Sequence, residues 1–166
     1  MVTLEEQDLR ISIASAINGE VFDRDEIKRG TSLQPVDLIF ELEDYYLFIE
    51  VKDPDIPGAS NPEKFRTDLK SGKVIRKVAG KFRDTTFFWR NQGKGDKPIK
   101  YMFLLSMASL DAALLSNKQD ELRKSMPSSH GLWDNEATCV IMNAKQLERK
   151  FGKGAIVRIS EEKGLG

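Results

Sequence analysis

Residues 36–52 read VDLIFELEDYYLFIEVK, and this stretch decides the fold. It contains two apolar runs, 36–43 and 45–52, which have the length and composition of β-strands. The gap between them is so short that an antiparallel hairpin, turning near Glu43 and Asp44, is the natural connection. The second run is hydrophobic enough to predict a strand in the centre of a sheet.

Glu50 and Lys52 are the polar exceptions in the second strand. Because side chains alternate between the two faces of a strand, these two share a face with Tyr46 and Phe48 and lie roughly 7 Å apart. A carboxylate and an ammonium are costly to bury without partners. One interpretation is a structural Glu50–Lys52 ion pair at a strand end.

Asp37 opens the first strand, and the hairpin register places it opposite Glu50 or close to it. Two adjacent carboxylates repel each other, so a cation must neutralise them. Lys52 can do this in part, and Mg²⁺ can do more, since it prefers oxygen ligands and takes one or two carboxylates. The backbone carbonyl of Val51 is a predicted further ligand. The pattern therefore predicts a metal site beside a lysine.

The rest of the chain predicts helices that alternate with strands. A capping signal at Thr3 and apolar periodicity predict helices at 3–18, 63–83, 109–125 and 144–151. Short apolar runs predict strands at 100–106, 137–142 and 155–159, and polar segments rich in proline or glycine predict loops at 20–34, 53–62 and 91–98. The order implies a single α/β domain, residues 1–166, with a mixed β-sheet flanked by helices.

Charge is distributed unevenly, although 26 basic and 26 acidic residues balance over the chain. Residues 1–60 contain 5 basic and 14 acidic side chains, whereas residues 61–100 contain 12 basic and 4 acidic side chains. This separation suits a site that holds a cation and a polyanion together. Two solvated faces that attract each other would give the same pattern.

The predicted helix at 63–83 carries much of the basic charge. Its lysines predict a nucleic-acid-binding surface that contacts phosphates and is formed by Lys64, Lys70, Lys73 and Lys77. An ordinary solvated helix face is the alternative. The segment 87–90 could stack on bases, although such aromatic clusters more often belong to a core.

Composition excludes several classes of protein. Cys139 is the single cysteine and lies in an apolar run, so neither a disulfide nor catalysis with the lone His130 is expected. No apolar run approaches the roughly 20 residues that a membrane span needs. The N-terminus is acidic and polar rather than a secretory signal. We therefore expect a soluble, cytoplasmic protein.

Asp37 and Glu50-Val51-Lys52 resemble the motif of the PD-(D/E)xK nuclease superfamily, and residues 30–40 resemble archaeal Holliday junction resolvases. The resemblance covers residues 3–85, with Val36 where the family pattern has proline. It implies a restriction-endonuclease-like core of αβββαβ-type order with an extra C-terminal helix and strands. It also implies that Asp37 and Glu50 bind Mg²⁺ or Mn²⁺ and that Lys52 is catalytic.

The resemblance leaves two positions open. Some members add a glutamate from the first helix, for which Glu6 is the best match and Glu5 the next, although Glu6 could instead only cap the helix. Many members carry a glutamine or a lysine on the helix after the lysine strand. The residues that match this second position equally well are Lys64, Arg66 and Lys70.

The main functional hypothesis is a Mg²⁺-dependent nuclease, either an endonuclease or an exonuclease, that hydrolyses phosphodiester bonds of DNA. The first alternative is a non-catalytic nucleic-acid-binding or assembly module on the same fold. The second is a structural or protein-interaction domain whose acidic first third pairs with a basic partner. A homodimer is a further expectation, because many nucleases of this superfamily dimerise to cut both strands.

Overall fold

Eight strands and six helices form the part of the chain that the structure describes, residues 1–28, 30–126 and 138–164 of a computed structural model. The strands are β1 (Val2–Glu6), β2 (Leu9–Ile13), β3 (Asn18–Val21), β4 (Leu38–Glu41), β5 (Tyr46–Lys52), β6 (Ile99–Leu105), β7 (Thr138–Met142) and β8 (Ile156–Arg158). The helices are α1 (Asp25–Lys28), α2 (Pro62–Lys70), α3 (Lys73–Asn91), α4 (Ala112–Lys124), α5 (Ala144–Phe151) and α6 (Ile159–Lys163). His130 lies outside the described residues.

The larger sheet has five strands in the order β3-β4-β5-β6-β7 and is mixed. Strands β3, β4 and β5 are antiparallel neighbours, while β6 and β7 run parallel to β5. The predicted hairpin register is confirmed, because Leu38 pairs with Ile49 and Asp37 is therefore the next residue along, opposite Glu50. The predicted class, an α/β fold with a mixed sheet flanked by helices, is also confirmed.

Both faces of the larger sheet are covered, which explains why β5 is apolar along most of its length. On one face, Phe48 and Tyr101 pack with Phe82 of α3, and the rings of Phe82 and Tyr101 stack with centroids 4.8 Å apart. On the other face, Ile49 packs with residues of α5 and of the second sheet, whose order is β1-β2-β8. Glu50, two residues from Phe48, therefore faces α3.

The predicted helix at 3–18 is wrong, because these residues form the hairpin β1–β2 and enter β3. The hydroxyl of Thr3, the predicted helix cap, instead hydrogen-bonds to Ser12 across the hairpin at 2.9 Å. The hairpin packs its apolar face on the larger sheet, a tertiary contact that outweighs local helix signals. The buried residues recur at every second position, as in a strand: Leu9, Ile11 and Ile13.

The predicted helix at 63–83 is two helices, α2 and α3, which meet at Gly72. Gly72 has a φ of 80°, a left-handed conformation that glycine adopts without strain. Helix α3 continues to Asn91, so the aromatic segment at 87–90 is helical. Its Trp89 is buried in the core, which is the more common of the two roles expected for this cluster.

Replacement of Gly72 by alanine is expected to lower the free energy of unfolding by about 1–2 kcal/mol, because an L-residue is strained in the left-handed region. A Cβ atom there would also stand 2.1 Å from Oε1 of Glu121, so that side chain would have to move. The matched control is Gly80→Ala inside α3, where the nearest atom is 3.7 Å away and helix propensity favours alanine. Urea unfolding compares the two variants, and equal stabilities would contradict the expectation.

Several smaller predictions have mixed outcomes. The region at 20–34, predicted to be irregular, contains the end of β3 and the one-turn helix α1. The last strand, β8, pairs with β2 instead of joining the larger sheet. Cys139 is buried as predicted, and burial raises the pKa of its thiol. In the ranges that the structure describes, no helix is long and apolar enough to cross a membrane.

Candidate active site

Three predicted site residues converge at the open end of the β4–β5 hairpin. Asp37 lies immediately before β4, Glu50 lies inside β5, and Lys52 ends β5. Ile39 and Phe48, which share faces with Asp37 and Glu50, belong to the core beneath α3. The structure therefore brings the two carboxylates and the lysine together under this helix.

Asp37 is held by the backbone of the neighbouring strand. The residue is only 3% exposed, and its Oδ2 accepts a 2.7 Å hydrogen bond from the backbone N–H of Val51. Its Oδ1 instead faces the Nζ of Lys81, which lies 3.7 Å away. One oxygen of Asp37 therefore hydrogen-bonds to the backbone of β5, and the other faces the ammonium of Lys81.

Glu50 is fully buried and contacts two lysines. Lys52 donates to its Oε1 at 2.6 Å, and Lys81 lies 2.8 Å from Oε1 and 3.0 Å from Oε2. Burial raises the pKa of Glu50 to about 7, and the charge of Asp37 adds to this rise, while the two lysines oppose it. The carboxyl group therefore exchanges its proton near neutral pH.

Lys81 is the residue of the cluster that the sequence did not identify. The resemblance predicted a lysine or glutamine on the helix that follows β5. Two of the matching residues, Lys64 and Arg66, form ion pairs within α2 instead. Lys81, on α3, is the lysine that reaches both carboxylates. Burial lowers the pKa of Lys81, but the charges of Glu50 and Asp37 outweigh burial, so the pKa is raised.

Glu6 approaches the same site, although the element that carries it was predicted wrongly. It ends β1 at the tip of the hairpin and is half-buried. Its pKa is raised by burial and by the charges of Asp37 and Asp23, while Lys52 and Lys81 act in the opposite direction. Glu5, the other match, is exposed and pairs with Arg10.

The carbonyl of Val51, predicted as a metal ligand, already accepts two hydrogen bonds. They come from Nε2 of Gln7 at 3.1 Å and from Nζ of Lys52 at 3.2 Å. Gln7 also accepts from the backbone N–H of Asp53 at 3.2 Å, so its amide clamps the end of β5. This residue sits at the hairpin tip with a φ of 56°, and no sequence signal identified it.

The end of β5 is also tied to the C-terminal part of the chain. Asp53 is buried, and its carboxylate accepts two hydrogen bonds from the guanidinium of Arg158, at 2.7 and 3.0 Å. The same guanidinium donates to Asp8 at 3.2 Å and to Ser106 at 3.3 Å. These hydrogen bonds hold the tip of the β1–β2 hairpin and the end of β8 next to Lys52.

Lys52 is the part of the cluster that solvent reaches. Its side chain is 33% exposed, whereas that of Lys81 is 18% exposed and that of Glu50 is fully buried. It also lines a cavity of about 250 Å³ that includes Gln7 and Phe65. A substrate approaching the carboxylates from this side would therefore meet Lys52.

The predicted nucleic-acid-binding lysines follow α2 and α3. Lys73 and Lys77 are exposed and precede Lys81 at intervals of four residues, so the three form one stripe along α3. Lys70 is exposed near the start of this stripe, while Lys64 is engaged with an aspartate of α2. The stripe leads from the surface to the two buried carboxylates.

The donor atoms fit a hard divalent cation. Among the described residues, no group of three or more His, Cys, Asp and Glu side chains could hold a metal. Mg²⁺, however, commonly takes only one or two carboxylates together with water and phosphate oxygens. Asp37 and Glu50 already face one shared cation, the ammonium of Lys81.

Comparisons with known proteins give little further information. No family model matches the sequence, and no curated protein matches it. Among solved structures, the chain is similar to the small subunit of the heterodimeric restriction endonuclease R.BspD6I, with a TM-score of 0.40 and 15% identity. The match covers 92% of this chain and 69% of that chain. The predicted PD-(D/E)xK relationship therefore depends on the motif and its placement in the sheet.

Proposed function

We propose that the protein is a metal-dependent nuclease that hydrolyses phosphodiester bonds of DNA. The observation that carries the proposal is the meeting of two buried carboxylates, Asp37 and Glu50, with Lys52 at the accessible end of a central strand. Ion clusters of this kind are seldom stabilising, because burying the charges costs more than their attraction returns. Ionisable groups with perturbed pKa values are frequent at functional sites.

Each residue has a distinct role in this proposal. Asp37 and Glu50 would hold Mg²⁺ or Mn²⁺, and the carbonyl of Val51, which accepts hydrogen bonds from Gln7 and Lys52, would be a further ligand. When bound, the metal would lower the pKa of a water and neutralise charge on the scissile phosphate. Lys52 would orient the attacking water or stabilise charge on the phosphate in the transition state. Glu6 adds a half-buried carboxylate beside these groups.

The substrate class follows from the charge of the surface around the site. Lys73 and Lys77, the two exposed lysines of the stripe, offer cations in series, which suits a phosphate backbone. The cavity beside Lys52 gives a phosphate access to the ammonium without crossing the core. Binding through this stripe would weaken steeply with salt, since each phosphate contact releases condensed counterions.

Calorimetric titration with Mn²⁺ tests the metal site. The parent protein is expected to bind Mn²⁺, and Asp37→Asn is expected to lose measurable binding while staying folded, because the amide oxygen can still accept from the N–H of Val51. Asp68→Asn is the matched control, since Asp68 is an aspartate of α2 that pairs with Lys64 away from the carboxylates. Equal affinity in the parent and in Asp37→Asn would refute the proposed site.

The affinity for Mn²⁺ is also expected to depend on pH in a defined direction. Glu50 has a pKa of about 7, and only its ionised form can bind a metal. Below this pH the proton competes with the metal, so the affinity should fall by about tenfold per pH unit, and above it the affinity should level off. Titrations between about pH 5.5 and about pH 8.5 measure this profile, and a constant affinity would contradict the assignment.

One observation favours the non-catalytic module as a second candidate. Lys52 and Lys81 together already balance the charges of Asp37 and Glu50. A cluster balanced in this way could persist as a structural element while the lysine stripe binds nucleic acid. Nucleic-acid binding that survives EDTA, with no cleavage under any divalent metal, would support this candidate against the nuclease.

A further inference from the structure

The ammonium of Lys81 occupies the space between the two carboxylates. We propose that Lys81 is an internal counter-cation of this site and that a divalent metal binds only when Lys81 withdraws. The inference rests on the proposed function, because it assigns the metal to Asp37 and Glu50. It adds that, in the free protein, Lys81 neutralises part of the carboxylate charge and that this ammonium and the metal alternate.

The distances make the two cations mutually exclusive. Lys81 Nζ lies 2.8 Å from Glu50 Oε1, 3.0 Å from Glu50 Oε2 and 3.7 Å from Asp37 Oδ1. A Mg²⁺ ion would need the same carboxylate oxygens that Lys81 contacts, so it would lie close to the ammonium. Two cations this close in a buried site repel each other strongly, so they cannot share these oxygens.

Lys52 contacts fewer of the proposed ligand oxygens than Lys81 does. It contacts Oε1 of Glu50 and the carbonyl of Val51, so it holds the outer edge of the cluster. Lys81 alone among the described lysines lies within ion-pair distance of both Asp37 and Glu50. Lys81 therefore blocks both proposed ligands, whereas Lys52 blocks only one oxygen of Glu50.

Two further carboxyl groups interact electrostatically with Lys81. The charge of Asp23 raises the pKa of Lys81, and the charge of Lys81 lowers the pKa of Glu6. Asp23 also pairs with Lys28 at 2.5 Å. A lysine side chain rotates about four bonds, which lets the ammonium shift without moving α3.

Substitution of Lys81 by methionine tests the exchange through metal affinity. The uncharged side chain keeps the length of lysine, so Lys81→Met should bind Mn²⁺ at least about tenfold more tightly than the parent. Lys77→Met, one turn earlier on α3, is the matched control and should change the affinity by less than about twofold, since exposed charges are screened. Asp37→Asn should abolish binding in either background.

The outcomes separate this inference from the proposed function. If Lys81→Met binds Mn²⁺ no more tightly than the parent while Asp37→Asn loses binding, the metal site stands and the exchange is refuted. If neither the parent nor Lys81→Met binds Mn²⁺, both the metal site and the exchange are refuted. If Lys81→Met binds Mn²⁺ more tightly than the parent and Asp37→Asn does not bind it, both the metal site and the exchange are supported.

A second measurement follows Lys81 in the unaltered protein, in case Lys81→Met does not fold. Lysine side chains labelled with ¹³C and ¹⁵N are observed by nuclear magnetic resonance, and the Lys81 signal is assigned by its loss in Lys81→Arg. Mg²⁺ at saturating concentration should shift this signal and leave that of Lys77 in place. A saturated site with an unchanged Lys81 signal would overturn the exchange.

Discussion

Lys52→Met should lower the rate of DNA cleavage by about 10²–10³-fold, the range seen when one donor that stabilises a transition-state charge is removed. The ammonium of Lys52 lies 2.6 Å from Glu50 and is the most exposed part of the cluster, so it is the group that can face a scissile phosphate. Methionine removes the charge but keeps the size of the side chain. Single-turnover cleavage at saturating Mg²⁺ measures the effect.

Metal affinity distinguishes a catalytic Lys52 from a structural one. The two proposed carboxylate ligands remain in Lys52→Met, so calorimetry should give a Mn²⁺ affinity at least equal to that of the parent. Lys100→Met is the matched control, because Lys100 lies on β6 with its ammonium 3.6 Å from the ring of Tyr45, away from the carboxylates. Unchanged cleavage in Lys52→Met would show that this lysine is part of an ordinary ion pair.

Arg158→Met should lower the free energy of unfolding by about 3–5 kcal/mol, because it leaves a buried carboxylate without its partner. The side chain of Asp53 is fully buried and accepts both of its hydrogen bonds from Arg158 at 2.7 and 3.0 Å. The loss should also loosen the hairpin tip, since Arg158 holds Asp8 as well. Chemical denaturation monitored by circular dichroism measures the change.

Two further variants identify the cause of that loss. Arg10→Met removes another arginine of the small sheet, one whose ion pairs with Glu5 and Glu162 are more exposed, and should change stability by less than about 1 kcal/mol. Adding Asp53→Leu to Arg158→Met should recover much of the loss, because no buried charge is then left unpaired. Equal effects of Arg158→Met and Arg10→Met would contradict the assigned role of the buried pair.

The centre of the fold could be predicted because its signals are local. The short gap before Tyr45 forces an antiparallel hairpin, and the hairpin register alone brings Asp37 opposite Glu50. Strand alternation then fixes that Glu50 and Lys52 share a face. These rules need no information from distant parts of the chain, so the core of the candidate site followed from seventeen residues, 36–52.

The N-terminal segment was predicted wrongly because two periodicities overlap there. Leu9 and Ile13 are four residues apart, a spacing that suits a helix and equally the same face of a strand. Ile11, which lies between them, is buried on the same face, as expected for a strand and not for a helix. All three side chains pack on the larger sheet. Glu6 nevertheless lies near the site, because the hairpin tip reaches the end of β5.

Lys81 and Gln7 could not be identified because their roles depend on tertiary contacts. The predicted helix at 63–83 breaks at Gly72, and α3 then packs over the open end of the β4–β5 hairpin. Lys81 reaches the carboxylates from this position. Gln7 clamps the end of β5 from a segment that was not predicted as a hairpin. The spacing of residues along the chain predicts neither the contact of Lys81 with the carboxylates nor that of Gln7 with β5.

The uneven distribution of charge has an internal part and an exposed part in the structure. Part of it is internal pairing, since Lys81, Lys94 and Lys97 from the basic segment contact acidic residues of the first third. Another part is an exposed surface, since Lys73 and Lys77 remain accessible along α3. Internal pairs bring cations to the carboxylates, and the exposed lysines extend the same field outward.

Cleavage of DNA by the parent protein and by Asp37→Asn, with Mg²⁺ and with EDTA, tests the central claim most directly. Duplex, single-stranded and branched DNA are incubated with each protein and resolved on denaturing gels. The parent should cut at least one substrate with Mg²⁺ and none with EDTA, and Asp37→Asn should cut none. Binding without cleavage by the parent under every metal, or equal cleavage by Asp37→Asn, would contradict a nuclease built on Asp37, Glu50 and Lys52.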